Sequence, residues 1–510
     1  MNDYTRKNLR NRKRRIERRL GDRFWTDQAA PMFSARNMQY EMGERTRGTA
    51  VGGIGAMHLV ARRTGLIDAI DKGVHVLKRH LPYHESDHVL NIAYNALSGG
   101  TCLEDIELRR NDEVYLDALG AQRIPDPTTA GDFCRRFEPE NVECLMDAAN
   151  EVRLRVWGQQ PEAFFDEAVL DADGTRAETT GECKQGMDVA YDGTWGYHPL
   201  TISLANTAEP LYLVNRSGNR PSHEGAGPRF DQAIGLCRRA GFRQILLRGD
   251  TDFSQTRHLD GWDDQGVGFL FGMDAMANLK ARTDQLEPAQ WMRLDRPAKY
   301  VVATKERQRP DNVKEHVVRE RGFQNIRLEG EDVAEFRYRP GACDRDYRVV
   351  VVRKNLSVAK GDLVLFDDIR YFFYITNRTD PADQIVIRAN QRCNQENLIE
   401  QLKNGVQALR MPVGDQTSNW AYMVIASLAW TLKAWFALLL PETGRWGQKY
   451  QDEKQTVLRM EFKTFLNAFI LVPCLLVRTG RRIVFRFLAW NRWLPVLFRA
   501  VNVLRQPLRC

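Results

Sequence analysis

The chain has 510 residues, 43% hydrophobic and 27% charged, the balance of a soluble globular protein. That length excludes a single ordinary core and predicts two to four domains. The net charge is +8, but it is not spread evenly. Residues 1–20 carry nine Lys and Arg against Asp3 and Glu17, and residues 478–510 carry eight Arg and no acid, which leaves residues 21–477 at about −7. Two basic ends on a mildly acidic middle suit a protein that grips a polyanion at its periphery and holds metal at its centre.

The first element, residues 6–20 (RKNLRNRKRRIERRL), is a dense cationic arm with Leu9, Ile16 and Leu20 at helical spacing. It is expected to be disordered alone, because like charges repel along it, and to become helical against DNA. Arg10, Arg12, Lys13, Arg14 and Arg15 are its candidate phosphate contacts, which give affinity rather than sequence specificity. No apolar stretch follows the basic run, so it does not read as a secretory signal. The small-residue stretch 48–55 reads as a linker, closing a first region at residues 1–50. Helical periodicity then runs over 58–81 and 86–97, resumes at Thr101, and continues over 128–137 after the Pro125/Pro127 turn. Residues 51–160 form a helical domain whose functional reading is DNA-end binding and whose plain reading is a scaffold. His80, His84 and His88 are spaced i, i+4, i+8, but Pro82 breaks the helix that would align them, so they read as surface histidines rather than a zinc site.

From Phe164 the texture changes to short β-branched and apolar runs. Strands are expected at 168–173, 198–204, 211–215, 244–247 and 267–272, with a helix over 231–240. Hairpins followed by a helical connection describe a mixed sheet, hence an α/β domain beginning in residues 161–280. Asp171 and Asp173 lie two apart on one strand and share a face, and Asp250 falls where another strand ends. A lone Asp at a strand end is usually a cap, but two in one domain are less ordinary. Runs at 300–304, 313–318, 333–338, 347–353 and 362–377 are strand-like, so residues 281–378 read as a β-rich insertion. Trp291, Arg337 and Arg339 within it are candidates for DNA contact or for bracing.

Residues 391–405 (QRCNQENLIEQLKNG) are expected to be one helix. At a helical repeat, Arg392, Glu396 and Lys403 fall within about 40° of one another, and Leu398, Leu402, Val406 and Leu409 gather elsewhere. A carboxylate between two cations suits metal-dependent phosphodiester chemistry, and three acids together would suit two ions roughly 3.5 to 4 Å apart. Residues 422–440 are nearly long enough to span a membrane. Lys433, Ser427 and Thr431 inside them favour a buried core helix, and 465–477, with Asn467 and Pro473, reads as packed helix too. Residues 379–440 then close the catalytic domain, and 441–510 form a basic helical C-terminal region, its Arg/aromatic tail serving dimerisation, DNA contact or plain packing. The nine cysteines are scattered, odd in number and without CxxC, as expected of reduced thiols in the cytoplasm.

At five blocks the chain resembles the DDE transposases of bacterial insertion sequences, most closely the IS-thirteen-eighty-like branch. These are LDADGT at 170–175, GYHPL at 196–200, RSGN at 216–219, LLRGDTDF at 246–253, and Arg392, Glu396 and Lys403 in the spacing RxxxE followed by six residues and Lys. The resemblance covers roughly residues 59–440. It implies a ribonuclease-H-like mixed sheet with a β-rich insertion, flanked by helical N-terminal and C-terminal regions. It makes Asp173 (with Asp171 as runner-up), Asp250 and Glu396 the metal-binding catalytic acids, and Arg392 and Lys403 the cations that position DNA phosphates. The implied cofactor is two Mg²⁺ ions, or Mn²⁺ in their place. The implied partners are terminal inverted repeats and target DNA, held by a homodimer without a membrane. Cut-and-paste transfer through a hairpin is likewise an implication of the family. A Tyr often stands three residues before the Arg in that family, and Ala389 occupies the position here. The competing reading is a transposase-derived DNA-binding protein without cleavage activity.

Overall fold

The computed structural model describes residues 3–21, 32, 35, 38–41, 43, 46–179, 181–296, 316–317, 320–321, 324–360, 363–444, 446–480, 482–506 and 508. The chain folds into two compact units, one of Pro161–Glu178 and Asp188–Ile399, the other of Met1–Gln160, Thr179–Met187 and Glu400–Cys510.

The first unit is built on a nine-stranded sheet. Its strands are β1 (Glu167–Gly174), β2 (Leu200–Leu204), β3 (Glu209–Val214), β4 (Gln244–Gly249), β5 (Gly268–Met273), β6 (Met292–Arg293), β7 (Gln324–Tyr338), β8 (Tyr347–Lys360) and β9 (Leu363–Thr376). They lie in the order β6-β7-β8-β9-β5-β4-β1-β2-β3. Strand β1 is antiparallel to β2 and parallel to β4, β4 is parallel to β5, and the remaining pairs are antiparallel. The sheet is therefore mixed, as the hairpin-then-helix pattern predicts. Helix α1 (Ala226–Ala240) connects β3 to β4. The β-rich stretch does not make a sheet of its own: β9 pairs with β5, Phe373 opposite Met273 and Thr376 opposite Leu270, so β6 to β9 lengthen the same sheet. One hydrophobic cluster spans that join, with Leu246, Leu270, Val333, Val350 and Val352 covered by Ile385 and Val386 of helix α2 (Ala382–Asn390). Each such side chain contributes roughly 1.5–3 kcal/mol when fully buried. The strand-like runs at 300–304 and 313–318 lie outside the described residues, except for His316 and Val317, which are helical.

The second unit is mainly helical up to Trp157, as expected. Its basic arm is a helix over Asp3–Leu20 with no buried residue, where the sequence suggests disorder in isolation. Arg and Lys are good helix formers, and the pairs Asp3–Arg6 and Lys13–Glu17, both 3.5 Å, offset part of the repulsion. The small residues at 48–55 are not a flexible linker. Gly48 and Thr49 pair with Leu475 and Cys474, Gly52 and Gly53 donate to the carbonyls of Val472 and Ile470, and a Cβ on Gly53 would lie 1.8 Å from the Phe469 carbonyl oxygen. Smallness there serves close backbone approach. The stretch 465–477 also differs from the helix read in it. A π turn ends at Ile470, and Cys474–Thr479 is a strand paired with Arg482–Phe487, because Pro473 cannot continue a helix and the β-branched residues beyond it suit a hairpin. The Arg/aromatic tail is accordingly strand first and then helix, Leu494–Leu504.

Helix α3 (Gln416–Leu438) contains most of the long apolar run and is fully buried along that window. Its Lys433, 0% exposed, donates to the Leu458 carbonyl at 2.6 Å and lies 4.0 Å above the Trp430 ring. Of the three spaced histidines, His80 stacks on His84 and reaches Glu85 at 3.0 Å. His88 is no surface residue: it is buried and stacked on Phe133. All eight described cysteines are free thiols.

Candidate active site

Asp173 stands near the C-terminal end of β1, and Asp250 directly follows β4, the neighbouring parallel strand. Parallel pairing thus brings two carboxylates to the same end of the sheet, where ligand sites of α/β sheets form. Asp250 Oδ1 accepts from the Asp252 amide at 3.0 Å and caps the short helical turn Thr251–Phe253. The chain turns there tightly against β5, where a Cβ on Gly272 would lie 2.9 Å from the Thr251 nitrogen. Only a glycine leaves room for that turn.

Asp171 and Asp173 share a face but not a task. Asp171, 1% exposed, receives both Nε (2.7 Å) and Nη2 (2.8 Å) of Arg248, whose Nη1 donates to the Arg388 carbonyl at 2.8 Å. This fork joins β1, β4 and the end of α2, and it leaves Asp171 no free oxygen edge. Asp173 instead receives Arg392 Nη1 at 3.2 Å.

The expected single helix at 391–405 is interrupted. α2 ends at Asn390, Gln391 and Arg392 form a turn, a helix runs over Cys393–Glu400, and Gln401–Gly405 continues as a π turn. Glu396, with its side chain 62% exposed, lies 3.9 Å from Arg392 Nη2. The structure therefore gathers Asp173 and Glu396 around the Arg392 guanidinium, with Asp250 near enough to act on it electrostatically. Lys403 lies on the π turn, in the other compact unit, as do Arg10, Arg12, Lys13, Arg14 and Arg15 on the N-terminal helix. Leu398, Leu402, Val406 and Leu409 are buried, as their spacing requires.

The residue that sequence reasoning missed is Gln395. It is 2% exposed, accepts a hydrogen bond from the Ser203 hydroxyl and donates to the Thr201 carbonyl at 3.4 Å. Thr201 and Ser203 are the β2 partners of Asp173 and Asp171. Gln395 thus pins the helix of Glu396 to the strand beside the acids; a contact across 192 positions leaves no local signal. The blocks GYHPL and RSGN prove to be bracing. Buried Arg216 donates to the carbonyls of His198, Pro221, Ser222 and Glu224, and His198 Nδ1 lies 2.7 Å from the Arg220 carbonyl.

Burial pushes the Asp173 carboxyl up to about 7; Arg392 opposes this, and the nearby charges of Asp250 and Glu396 add to it. Burial also raises Asp250, against Arg392 and with Asp252. Burial disfavours the charge on Arg392, yet the three acids together hold its guanidinium above its usual range. One guanidinium therefore does not balance the carboxylates, and the site has a deficit of positive charge. Hard carboxylate oxygens short of cation are the donor chemistry of a divalent metal such as Mg²⁺. Among the described residues, no three His, Cys, Asp or Glu already stand at ligand spacing. A cavity of about 340 Å³ opens beside Asp250 and Arg392, walled by Tyr371, Tyr374, Ala389 and Cys393.

Fold and site together define an α/β protein with a carboxylate and guanidinium centre at the ends of adjacent parallel strands. The family model of the Transposase DDE domain group 1 matches residues 39–507, and the chain belongs to that family. It is a DDE transposase-domain protein; transposases of this kind are DNA-cleaving and strand-transferring enzymes, and DDE transposases generally use divalent metal ions. Among solved structures, the chain is similar to a piggyBac transposase synaptic complex with hairpin DNA determined by cryo-EM, at 10% identity and a TM-score of 0.33, over 81% of this chain and 87% of that one. No curated protein matches.

Proposed function

We propose that the protein binds the terminal inverted repeats of its own bacterial insertion sequence, cuts the DNA ends by hydrolysis and joins them to target DNA by transesterification. The observation that carries this reading is the convergence of Asp173 and Asp250 at neighbouring parallel strand ends on Arg392, one helical turn before Glu396. The sheet is taken as ribonuclease-H-like with a β-rich extension, the route as cut-and-paste through a hairpin, the working form as a homodimer on DNA, and the location as the cytoplasm at the nucleoid.

Asp173, Asp250 and Glu396 would hold two Mg²⁺ ions, or Mn²⁺ in their place, through carboxylate oxygens. Such ions, when bound, lower the pKa of a coordinated water and neutralise charge on the leaving oxygen. Gln395 keeps the Glu396 helix against β2, so the third acid is presented to the other two at little entropic cost. Arg392 offsets part of the acids' charge before DNA arrives, and its planar guanidinium fork suits the oxygen pair of a DNA phosphate. Lys403 and the cations Arg10, Arg12, Lys13, Arg14 and Arg15 add sequence-independent grip.

A donor-plasmid excision assay with Mg²⁺ tests the reading. Asp173→Ala, Asp250→Ala and Glu396→Ala should each bind end DNA and fail to excise. Excision by these variants at the wild-type rate sinks the assignment, and a wild type that binds ends but never cuts favours the DNA-binding descendant.

A further inference from the structure

The helical unit holds a cleft walled by cations. It measures about 350 Å³ and lies between the loop at 77–83 and the helix Pro127–Cys134, with Arg79, Arg136, Tyr83, His88 and Thr129 among its walls. His88 is 5% exposed, its ring lies flat on Phe133 (4.4 Å between centroids, 7° between planes), and Tyr83 meets it edge-on at 5.4 Å. His88 Nδ1 is buried and has no hydrogen-bond partner. An orphaned buried ring nitrogen is costly unless something completes it.

The neighbouring acids are already engaged. Asp132, itself in the wall of the cleft, pairs with Arg135 at 2.5 Å, and Asp126 caps Thr129 at 2.8 Å. Glu85 accepts from the amides of Val76 and Leu77, and Asp87 accepts from the His84 amide at 2.9 Å. No carboxylate pairs with Arg79 or Arg136 among the described residues. Two guanidiniums without a carboxylate partner, the ring of His88 and an aromatic wall therefore line one cleft. Burial lowers His88 to about 4, so at neutral pH its ring is uncharged and can donate or accept at Nδ1.

We propose that this cleft is a phosphate-ester subsite, in which Arg79 and Arg136 take the anionic oxygens and His88 Nδ1 hydrogen-bonds the ester at the floor. Arginine forks match phosphate oxygens, and Tyr83 gives a flat ring beside them that a sugar or base can lie against. The same chemistry comes from the backbone of DNA or from a free nucleotide; the DNA source rests on the transposase reading.

The experiment uses the full chain and two probes: a labelled short duplex of arbitrary sequence, followed by anisotropy across a salt series, and dAMP, followed by calorimetry. Arg79→Ala/Arg136→Ala should keep the wild-type melting temperature, because both side chains are exposed. Its duplex affinity should fall roughly tenfold, with the salt slope shallower by about two. His88→Phe keeps an aromatic ring against Phe133 and removes both ring nitrogens; it should weaken binding by a smaller factor and leave the slope unchanged. Loss of dAMP binding with duplex binding intact assigns the subsite to a free nucleotide. Wild-type binding of both probes by the double variant overturns the subsite. The catalytic acids stay untouched in these variants, so an inactive acid site and an absent phosphate subsite give different results.

Discussion

Asp171 and Asp173 show how far two identical side chains on one strand face can diverge. Asp171 is half of a buried fork with Arg248, and removing one partner of such a pair costs about 3–5 kcal/mol because the other charge is left stranded. Asp171→Ala should therefore lower the melting temperature steeply. Asp173 behaves in the opposite sense. Its folded-state pKa, about 7, lies above the ordinary carboxylate value, so the folded chain holds a proton that the unfolded chain gives up. Stability from this group is present at acid pH and is lost as pH rises through about 7. In metal-free protein, Asp173→Asn should raise the melting temperature by a few degrees at pH 8 and by less at pH 5. A larger gain at pH 5 would contradict the linkage. The sequence identifies both acids and puts Asp173 first through the family resemblance, but the spending of Asp171 depends on Arg248, whose partner is 77 positions away.

At the scale of elements, the strands of the sheet are readable because β-branched runs between turns leave few other structures open. Residues 168–173 and 244–247 lie within strands that the structure extends by one or two residues, and the run at 267–272 is a strand displaced by one position, Gly268–Met273. The misread elements share a cause: a partner far along the chain decides their local structure. The glycines at 48–55 mark close contact with 470–475, and residues 474–479 are a strand because 482–487 pairs with them. The helix of Glu396 is legible as a helix, but its start after the Arg392 turn is not. Its attachment to β2 makes a prediction. Gln395→Ala removes two hydrogen bonds and leaves a small void, at a cost of about 2 kcal/mol. Excision should fall well beyond the loss of folded protein, and Mg²⁺ affinity measured by calorimetry should weaken with it. Unchanged Mg²⁺ affinity would reduce Gln395 to a packing residue.

For the molecule as a whole, charge is segregated by function. The acids of the proposed centre lie in the sheet unit, while the N-terminal helix carries its nine cations with no buried side chain. Such a helix adds nothing to a core, and its contribution is to the field. Deleting residues 3–20 should leave the melting temperature within a degree or so, yet weaken duplex binding and flatten its salt dependence by several units of slope. A chain that loses stability instead would place the helix in the core of the unit. Composition alone reveals this segregation, because net charge is additive along the sequence. The division into two units leaves no such trace, since three separate stretches of chain build the helical one.

Gln395 and Glu396 stand side by side, differ by one amide group, and face opposite surroundings. The buried member has to be neutral, since a carboxylate there would meet the Thr201 carbonyl and add to the negative charge around Asp173. The open member has to be charged to serve as a ligand. A comparison that slips by one residue at this helix would thus exchange a tether for the proposed third acid, and burial, rather than side-chain shape, is the mark that tells the two apart.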